Sequence, residues 1–518
     1  MCSYVKAEIM RNLTKILLLN LCLLLALPLT ATRHLPGSAF NPDLRDEQFY
    51  SLLNHAENPR EVDIDIYGDG LYHPFASLPR FGDAFLDAFR MGKARHSLIG
   101  YQSPDSLLQA EFNILAGYEH GIGDGDWGFL YKGYRIKAAY GKRIEMNTHW
   151  WNAMFMGDKA EALQSELIDG YYKDSVDKIR VDNISADISY NAPGLSIGIG
   201  RGKFPIGNSI SGSIILNNRV NDYPYLMAEG RWGDFSISML HTSLKADSVY
   251  AYHSNSTVNA KNYPDKFLAL HQLSYHAGDK LKLFIGETVV YGNRGIDLNY
   301  LLPNAFWRAS EHNLWDRDNV LIFGGADYHV NSNLLLYAQA ALDEFSYNKI
   351  FSNWWGNKYA IQSGLAYYLP WRFTESAKPR IGIELTAVRP YTYSHYMNHT
   401  MYSHDGNGLG YPKGSNLIDA TCSISVACRN NLHWRSKLAY GKQGSKGNSW
   451  QENYNDVFAG VTQTATANWF EGVAQNYATI ENVLIIDAFA HHRLLLGYSA
   501  RHVDEWESKL YAGWQLVY

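Results

Sequence analysis

The sequence has no long apolar run after its first 32 residues. A membrane-spanning helix needs about 20 consecutive apolar residues, and the chain as a whole is polar, with a mean hydropathy of −0.28. A bundle of membrane helices is therefore excluded. Intrinsic disorder is excluded as well, because 14 Trp, 37 Tyr and 21 Phe residues bury far more surface than a solvated tail carries.

Charge and cysteine are also scarce. Charged residues make up 19% of the chain, and 46 basic against 51 acidic side chains leave a net charge of −5 without a basic stripe. This composition gives no support for a nucleic-acid partner. Cys422 and Cys428 stand six residues apart, which is about 20 Å along a strand and too far for a disulfide. We interpret them as small apolar residues on the apolar face of a strand.

The first segment has the order of a secretory signal. Basic residues occur among the first fifteen positions, an apolar run follows at 16–29, and small residues come next. The run is too short for a typical spanning helix, and this order is typical of a signal peptide cleaved near Ala31. We therefore expect a signal peptide at 1–31, with a retained N-terminal anchor as the alternative.

Strict alternation of apolar and polar residues recurs through the rest of the chain. In 195–202, Leu195, Ile197 and Ile199 alternate with serine and glycine, as in a strand with one apolar face. The opposite faces of such segments carry Gly, Ser, Asp, Arg and Lys, which suits a polar barrel lumen. The apolar faces are rich in Tyr and Trp, as in the girdles of a lipid-facing wall. The pattern favours a membrane barrel over a soluble sandwich.

Connection lengths give an independent test, because outer-membrane barrels join their strands alternately by short periplasmic turns and longer extracellular loops. About eighteen strands are predicted, at 109–118, 129–139, 142–150, 181–190, 195–203, 226–232, 234–244, 266–276, 281–291, 320–330, 333–343, 357–369, 379–389, 418–428, 431–440, 478–490, 493–502 and 508–518. The long connections are then 119–128, 151–180, 204–225, 245–265, 292–319, 344–356, 390–417 and 441–477. The predicted fold class is an all-β, transmembrane antiparallel barrel in the outer membrane of a Gram-negative bacterium. The strand-like piece 457–467 is assigned to a loop, which keeps the strand number even.

The segment that precedes the barrel has a different character. Helical spacing at 41–56 and 82–95 predicts that 32–105 forms a small periplasmic helical element, with a plain linker as the alternative. The barrel is expected to cover 106–518, and its last strand alternates apolar residues up to the terminal Tyr518. This ending resembles the signal that the barrel-assembly machinery reads. That machinery and outer-membrane lipid are therefore expected partners.

Enzymatic motifs are incomplete in this sequence. The Gly-rich run at 198–204 has Phe204 where a phosphate-binding loop needs Ser or Thr, and 207–211 lacks the second Gly of a nucleophile elbow. The histidines of 395–404 have irregular loop spacing, so we do not expect a metal site. The prediction is a protein without enzyme activity. A lumenal Ser–His–acid hydrolase stays open as an alternative, because triad members need not be neighbours in sequence.

The long loops contain a dense mixture of aromatic, amide and charged side chains. Flat rings stack on sugar C–H faces at low entropic cost, and carboxylate, amide and guanidinium groups bind pairs of hydroxyls. We therefore predict polysaccharide binding, with packing among the loops as the alternative for each aromatic residue. The candidate binding residues are Glu287, Tyr291, Trp307, Arg308, Glu311, His312, Asp343, Glu344, Arg389, Tyr391, Tyr393 and His395.

Glu287 interrupts the apolar face of the predicted strand 281–291. It falls in register with Leu283, Ile285 and Val289, and a carboxylate that faces lipid is costly. We expect Glu287 to face the lumen. A bulge in the strand, or a register shifted by one residue, is the alternative.

Several stretches resemble the Wzi family of capsule-assembly outer-membrane barrels. They are GRGKFPIGNS at 200–209, FIGETVVYGNRGIDLNYLLP at 284–303, FWRASEH at 306–312, DN at 318–319, LDEF at 342–345, ELTAVRPYTYSHY at 384–396 and LGYPKGSN at 409–416. The resemblance implies an eighteen-stranded barrel with periplasmic N-terminal helices. It also implies a surface lectin that helps to hold capsular polysaccharide on the cell, with no enzyme activity and no cofactor. The resemblance is weakest over 32–130, and it transfers no residue-level binding motif.

A porin, or diffusion channel for small solutes, is the main alternative function. The loops 157–180 and 292–319 are expected to discriminate between the two functions. If they fold inward and block the lumen, little current should pass.

Overall fold

The computed structural model describes residues 98–517, apart from 124, 142, 160–170, 175–177, 193, 247–248, 252–259, 279, 351, 372–378, 430 and 490. The predicted signal peptide and the predicted helices at 41–56 and 82–95 lie outside the described residues. Within the described part of the chain, no helix is both long and apolar enough to cross a membrane.

The described residues form mainly strands. In chain order these are Ile99–Gln102 (β1), Leu108–Ile122 (β2), Asp126–Tyr140 (β3), Ile144–Gly157 (β4), Tyr171–Asp174 (β5), Lys178–Ala192 (β6), Leu195–Gly202 (β7), Tyr223–Trp232 (β8), Phe235–Lys245 (β9), Val249–Ala251 (β10), Ala260–Asn262 (β11), Asp265–Ala277 (β12), Leu281–Gly292 (β13), Asn319–Asn331 (β14), Leu334–Glu344 (β15), Lys358–Tyr368 (β16), Arg380–Val388 (β17), Ser403–His404 (β18), Asn407–Gly408 (β19), Leu417–Arg429 (β20), Leu432–Gly444 (β21), Ala474–Phe489 (β22), His492–His502 (β23) and Trp506–Val517 (β24). The short α-helices are Trp307–Asn313 (α1) and Tyr454–Val457 (α2), and 3-10 turns occur at Leu298–Leu301, Tyr347–Lys349 and Asn398–Thr400.

Of these strands, 18 close into one antiparallel barrel. The barrel closes where β2 pairs with β24, with Leu115 opposite Val517 and Ile122 opposite Leu510. The short strands β1 and β5 extend the ladders of β2 and β6, and β10–β11 and β18–β19 form small separate ladders in the loops. The predicted all-β barrel with eighteen strands is confirmed.

Side chains alternate between the outer wall and the lumen. On β17, Ile383 and Leu385 are exposed on the outer wall, whereas Glu384 is buried on the lumenal face. Outward apolar side chains of this kind meet lipid in an outer-membrane barrel. Cys422 pairs across the ladder with Ile383 and is a free thiol, as is Cys428, which agrees with their interpretation as small apolar residues of the wall.

Connection lengths alternate over most of the barrel as predicted, but the outer connection 503–505 is short and the periplasmic connection 369–379 is long. The predicted outer loop 119–128 is instead a tight connection at 123–125, because β2 and β3 continue their ladder to the pair Ile122–Asp126. The prediction of a long loop there is wrong, since the strands extend beyond their clearly alternating part. The piece 457–467 forms turns after α2 and no barrel strand, so its assignment to a loop is confirmed.

Two long connections fold into the lumen. Residues 203–222 and 389–416 bury their apolar side chains against lumenal side chains of the barrel. This cluster comprises Phe204, Ile214, Ile215, Leu216, Val220, Tyr223, Tyr225, Met227, Leu240, Leu244, Leu268, Leu270, Phe284, Val290, Leu321, Phe323, Ala341, Ala360, Val388, Tyr393, Tyr402, Leu409, Tyr411 and Leu417. The two connections thus occupy the part of the lumen that is lined by β8, β9, β12–β17 and β20. Two loops are expected to distinguish a blocked lumen from a diffusion channel. The structure describes 157–180 only in part, and 292–319 does not lie in the lumen.

A third long connection lies on the outside of the barrel. Residues 293–318, named the outer flap here, bury Tyr300 and Trp307 against outward-facing wall residues that include Ala269 and Val289. This connection therefore does not close the lumen. It packs on the wall because both surfaces are apolar and each shields the other from water.

Candidate functional site

The predicted binding residues fall into two groups at the extracellular end of the barrel. One group belongs to the outer flap and the wall beneath it: Glu287, Tyr291, Trp307, Arg308, Glu311 and His312. The other belongs to the loop cap, which we define as 345–357, 389–416 and 445–473 with the adjoining strand ends: Asp343, Glu344, Arg389, Tyr391, Tyr393 and His395. The groups meet where the Tyr396 hydroxyl donates to the carbonyl oxygen of Asp316 at 3.2 Å.

Glu287 faces outward and not into the lumen, so the prediction of a lumenal carboxylate is wrong. It pairs with His271 in β12 and Ile322 in β14, and it shares the outward face of β13 with the exposed residues Leu283 and Ile285. The pairing of β12 with β13 is continuous, so the register expected from the sequence is correct. The carboxylate escapes lipid because the outer flap covers it and leaves it only 4% exposed.

Glu287 caps the helix of the outer flap. Its carboxylate oxygens accept hydrogen bonds from the backbone N–H groups of Trp307 at 2.8 Å and Arg308 at 3.0 Å. The first N–H groups of a helix have no partner within the helix, and a carboxylate there complements the helix dipole. The Nε2 atom of His271 lies 3.0 Å from the same carboxylate, and its ring stacks on Trp307 with the centroids 3.9 Å apart. A strand carboxylate thus fixes the flap to the wall.

The two ends of the outer flap are held together by an ion pair. Arg294 donates to both carboxylate oxygens of Asp318, at 2.9 and 2.6 Å, and the Tyr300 hydroxyl donates to Asp318 at 2.7 Å. The guanidinium lies 4.8 Å from the ring centroid of Tyr291, whose hydroxyl accepts from the N–H of Asp297 at 3.2 Å. Bidentate pairs of this kind are geometrically specific as well as strong. The flap is therefore an anchored element with a defined conformation.

Glu287→Ala is expected to detach the outer flap from the wall. The change leaves two N–H groups at the start of α1 without an acceptor, and each buried unsatisfied group costs about 1–3 kcal/mol. We expect protease cleavage within 298–306 to rise by about tenfold or more while the barrel stays folded by circular dichroism. Glu287→Gln keeps one acceptor oxygen and is expected to lie between wild type and the alanine variant. Identical cleavage in all three proteins would contradict the anchoring role.

Arg308 is the cation of a small acidic cluster on the outer flap. Its Nη1 donates to Glu311 at 2.7 Å and to Asp316 at 3.4 Å. The ligand atoms of Glu311, His312 and Asp316 lie within 4.8 Å of one another, but the guanidinium already bridges the two carboxylates. The cluster is accordingly an ion-pair network.

In the loop cap, a buried lysine lies between two acids. The Nζ atom of Lys358 is 3.1 Å from Glu344 and 3.6 Å from Asp343, and it donates to the carbonyl oxygen of Ser394 at 3.1 Å. Asp343 in turn accepts the backbone N–H of Tyr393 at 2.7 Å. Buried charges are tolerated when they are paired and hydrogen-bonded in this manner. The network therefore ties the inserted loop 389–416 to the tops of β15 and β16.

Arg389 and Tyr391 are buried in the same cap. Arg389 donates to the carbonyl oxygen of Ala467 at 2.9 Å, and its guanidinium lies 5.4 Å from the ring of Trp469. Tyr391 is 1% exposed and packs edge-on against Phe458, with ring centroids 5.0 Å apart. Both residues therefore join the loop 389–416 to the loop 445–473.

His395 is neutral within the cap. Its Nδ1 lies 2.5 Å from the Thr400 hydroxyl. Burial holds the pKa of His395 well below its usual value, and the nearby charge of Lys358 acts in the same direction. A neutral ring avoids a second buried cation beside Lys358. His395 therefore serves the internal hydrogen bonding of the loop.

Burial decides which predicted residues face solvent. The predicted aromatic residues are almost fully buried, and these are Tyr291, Trp307, Tyr391 and Tyr393. Their rings pack on other protein side chains. This agrees with the alternative that loop aromatic residues pack within the protein. The predicted residues with accessible side chains are Arg308, His312 and Glu344.

Among the described residues of the cap, the most exposed aromatic side chain is not one of the predicted residues. Tyr347 is 83% exposed. In the same loop, the Nζ atom of Lys349 lies 4.5 Å from the ring centroid of the partly exposed Trp354. The amide of Asn353 donates to Asn468 at 3.0 Å and links this loop to 445–473. The loop 345–357 thus offers an accessible ring, a cation and amides to solvent. Loop residues have no periodicity, so only the aromatic and amide-rich composition of 345–357 signals this surface.

The inserted loop 203–222 is held in the lumen by Glu384. This fully buried carboxylate accepts the backbone N–H groups of Ile210 at 2.7 Å and Ser211 at 2.9 Å. It also accepts the hydroxyls of Ser211 and Tyr337, the latter at 2.5 Å. Lumenal polar side chains, which the alternation of the strands predicts, thus satisfy the backbone of the inserted loop.

Comparison with known proteins supports the fold. No family model matches the sequence, and no curated protein matches it. Among solved structures, Wzi of Escherichia coli aligns with a TM-score of 0.52 at 12% identity, over 92% of this chain and 98% of that chain. That protein is described as a carbohydrate-binding β-barrel involved in group 1 capsule assembly.

Two further structures align less well. OprD of Pseudomonas aeruginosa has a TM-score of 0.42 at 8% identity, over 79% of this chain and 95% of its own. OccAB4 of Acinetobacter baumannii has a TM-score of 0.44 at 9% identity, over 80% of this chain and 100% of its own. Alignments at this level support no argument about function. The predicted Wzi-like barrel fold is confirmed, and the closed barrel with its apolar wall is that of an outer-membrane protein.

Proposed function

We propose that this outer-membrane barrel binds capsular or other surface polysaccharide through the exposed surface of its loop cap and helps to hold it on the cell. The observation that carries the proposal is the insertion of two long connections into the lumen. Residues 203–222 and 389–416 occupy the part of it that is lined by β8, β9, β12–β17 and β20, and Glu384 and Lys358 hold them there. Inserted loops of this kind narrow the lumen, which favours binding at the loop surface over transport through a channel. The proposed role needs no enzyme activity.

The chemistry of the cap surface supports a sugar ligand. Tyr347 offers an accessible ring for stacking, and Trp354 is partly accessible beside Lys349. The amides of Asn353 and Asn468 and the carboxylate of Glu344 offer hydrogen bonds to hydroxyl pairs. Stacking combined with planar polar groups is the arrangement that sugar recognition requires. The likeness of the fold to a carbohydrate-binding barrel points in the same direction.

Deletion of the gene tests the proposed function. We expect cells without the protein to shed polysaccharide that wild-type cells retain, measured as the ratio of cell-attached to released capsule. Unchanged attachment in the deletion strain would overturn the proposal.

Tyr347→Ala tests the proposed surface. Loss of a stacked ring costs about 0.5–1.5 kcal/mol, so polysaccharide binding by the purified protein is expected to weaken about two- to tenfold. Tyr101→Ala is the matched control, because Tyr101 is 53% exposed and lies on β1 at the opposite end of the barrel. An equal loss in both variants, or none in either, would place the sugar elsewhere.

A further inference from the structure

The outer flap carries an apolar surface that does not contact the barrel. The residues of this surface are Ile296, Leu298, Leu302, Phe306 and Trp315, which are 57%, 73%, 52%, 59% and 92% exposed. The contact with the wall is made by other flap residues, Tyr300, Trp307 and Leu314. So many exposed apolar side chains on one short, anchored element mark an interaction surface.

The outer flap is anchored at a level of the barrel that lies inside the lipid-facing apolar band. Glu287, which anchors it, stands six residues beyond Leu281 at the periplasmic end of β13. Six residues span about 20 Å along a strand, and with a tilt of about 40° this is about 15 Å of height, inside an apolar band about 25 Å tall. The equivalent position on β15 supports this height. Ala340 is six positions beyond Leu334, at the periplasmic end of β15, and it lies within the outward-facing apolar run that ends at Leu342. The flap therefore covers the upper part of the lipid-facing band.

The uncovered wall below the flap continues the same apolar surface. Leu273 and Ile285 pair with each other two positions toward the periplasm from the pair His271–Glu287, and they are 41% and 59% exposed. Lipid in contact with this pair therefore borders the lower edge of the flap. This continuity favours lipid over a protein partner as the occupant of the flap surface.

The backbone of the flap projects its tryptophan outward. Trp315 and Asp316 have φ angles of +69° and +55°, a left-handed conformation that few residues other than glycine adopt. The Tyr396 hydroxyl holds this turn through the carbonyl oxygen of Asp316. Tryptophan is enriched at membrane–water interfaces, where its ring sits at the level of the headgroups.

We infer that the outer flap is a membrane-interface element, whose exposed apolar side chains contact the acyl chains of the outer leaflet and whose Trp315 lies at the headgroup level. The Glu287 carboxylate then holds the polar N-terminal end of α1 against a lipid-facing wall. The inference does not depend on the proposed function, because the flap surface faces lipid and the cap surface faces the medium.

Fluorophore quenching in lipid vesicles tests the inference. The full chain, with its other cysteines replaced by serine, carries a polarity-sensitive dye at Leu298→Cys, Ile285→Cys or Tyr347→Cys. Each variant is reconstituted at low density in phosphatidylcholine vesicles with or without nitroxide-labelled acyl chains. We expect quenching at Leu298 to be within about twofold of that at the wall position Ile285, and about fivefold above that at the cap position Tyr347.

Two outcomes would overturn the inference. A dye at Leu298 that is quenched no more than the dye at Tyr347 would place the flap surface in water. Disulfide-linked dimers of the unlabelled Leu298→Cys protein after treatment with an added oxidant, together with loss of acyl-chain quenching in the labelled protein as its density rises, would make the surface an interface between two copies of the chain. The double variant, Leu298→Cys with Glu287→Ala, is expected to lose most of the quenching, because the flap then leaves the wall.

Discussion

Glu384→Ala is expected to make the barrel leaky. The carboxylate is the acceptor for two backbone N–H groups of the inserted loop 203–222 and for the hydroxyl of Tyr337. Alanine leaves these donors buried and unsatisfied, at about 1–3 kcal/mol each. The barrel ladders are untouched, so the cost falls on the inserted loop, which then leaves the lumen for part of the time.

Planar-bilayer recordings measure this effect. Wild-type protein is expected to pass negligible current, and Glu384→Ala to show open-channel events together with tryptic cleavage after Lys203 or Arg219. The matched control is Glu481→Ala, because Glu481 is an exposed glutamate of β22 and its removal is expected to leave the protein silent. Large currents from wild-type protein would favour the porin alternative. Silence of Glu384→Ala would show that the remaining contacts hold the loop.

Lys358→Met is expected to cause the largest loss of stability in the loop cap. The ammonium is 1% exposed, lies between Asp343 and Glu344, and is 4.6 Å from the ring centroid of Tyr454. Methionine fills similar space but leaves Asp343 as a buried carboxylate with no cation. Breaking a buried pair by removing one partner costs about 3–5 kcal/mol. We expect urea to expose the loop 389–416 at a correspondingly lower concentration, measured by pulse proteolysis in detergent.

A double variant separates the charge effect from the loss of packing. In Lys358→Met with Asp343→Asn, the uncompensated carboxylate is gone and the amide oxygen still accepts the N–H of Tyr393. Part of the lost stability should therefore return, and the coupling between the two positions is read from the cycle. Lys349→Met is the matched control, because Lys349 is partly exposed and stacks on Trp354. Its effect should stay below about 1 kcal/mol. Equal losses at Lys358 and Lys349 would argue against a buried charge network.

The barrel could be predicted from local patterns because each strand carries its own pattern of faces. Ile383 and Leu385 alternate with lumenal residues whether or not the neighbouring strands are known. The turns are short and rich in turn formers, so the strand number and the alternation of connections follow as well. Where local signals fade, the prediction fails. The ladder of β2 and β3 extends to Ile122, beyond the end predicted for the strand.

The site could be predicted only in part, because loops have no periodic pattern. The sequence places Trp307 and Tyr391 in the right loops but cannot show that they are buried. Tyr347, the most accessible ring among the described residues of the cap, has no local feature that sets it apart from them. Which ring faces water depends on what packs behind it. In the outer flap, the residue that packs behind Trp307 is His271 of β12, which is far from Trp307 in sequence.

Glu287 shows where local and tertiary information separate. Its register in β13 follows from the alternation of the strand, and that register proves correct. Its environment depends on the outer flap, whose helix supplies two N–H groups to a carboxylate that would otherwise face lipid. On an uncovered wall the cost of a lipid-facing carboxylate would favour a lumenal position. That cost does not arise here, because a later segment of the chain covers the carboxylate.

The sequence alone determined the barrel, its strand number and the general alternation of long and short connections. These features depend on the two-residue period and on turn formers within each segment. The tertiary structure decided the direction in which each long connection folds. Residues 203–222 turn inward to Glu384, which is 174 positions from Ile210 along the chain, and 293–318 turn outward to Glu287. Each direction is set by single acceptors and apolar patches on other strands, which no local pattern encodes.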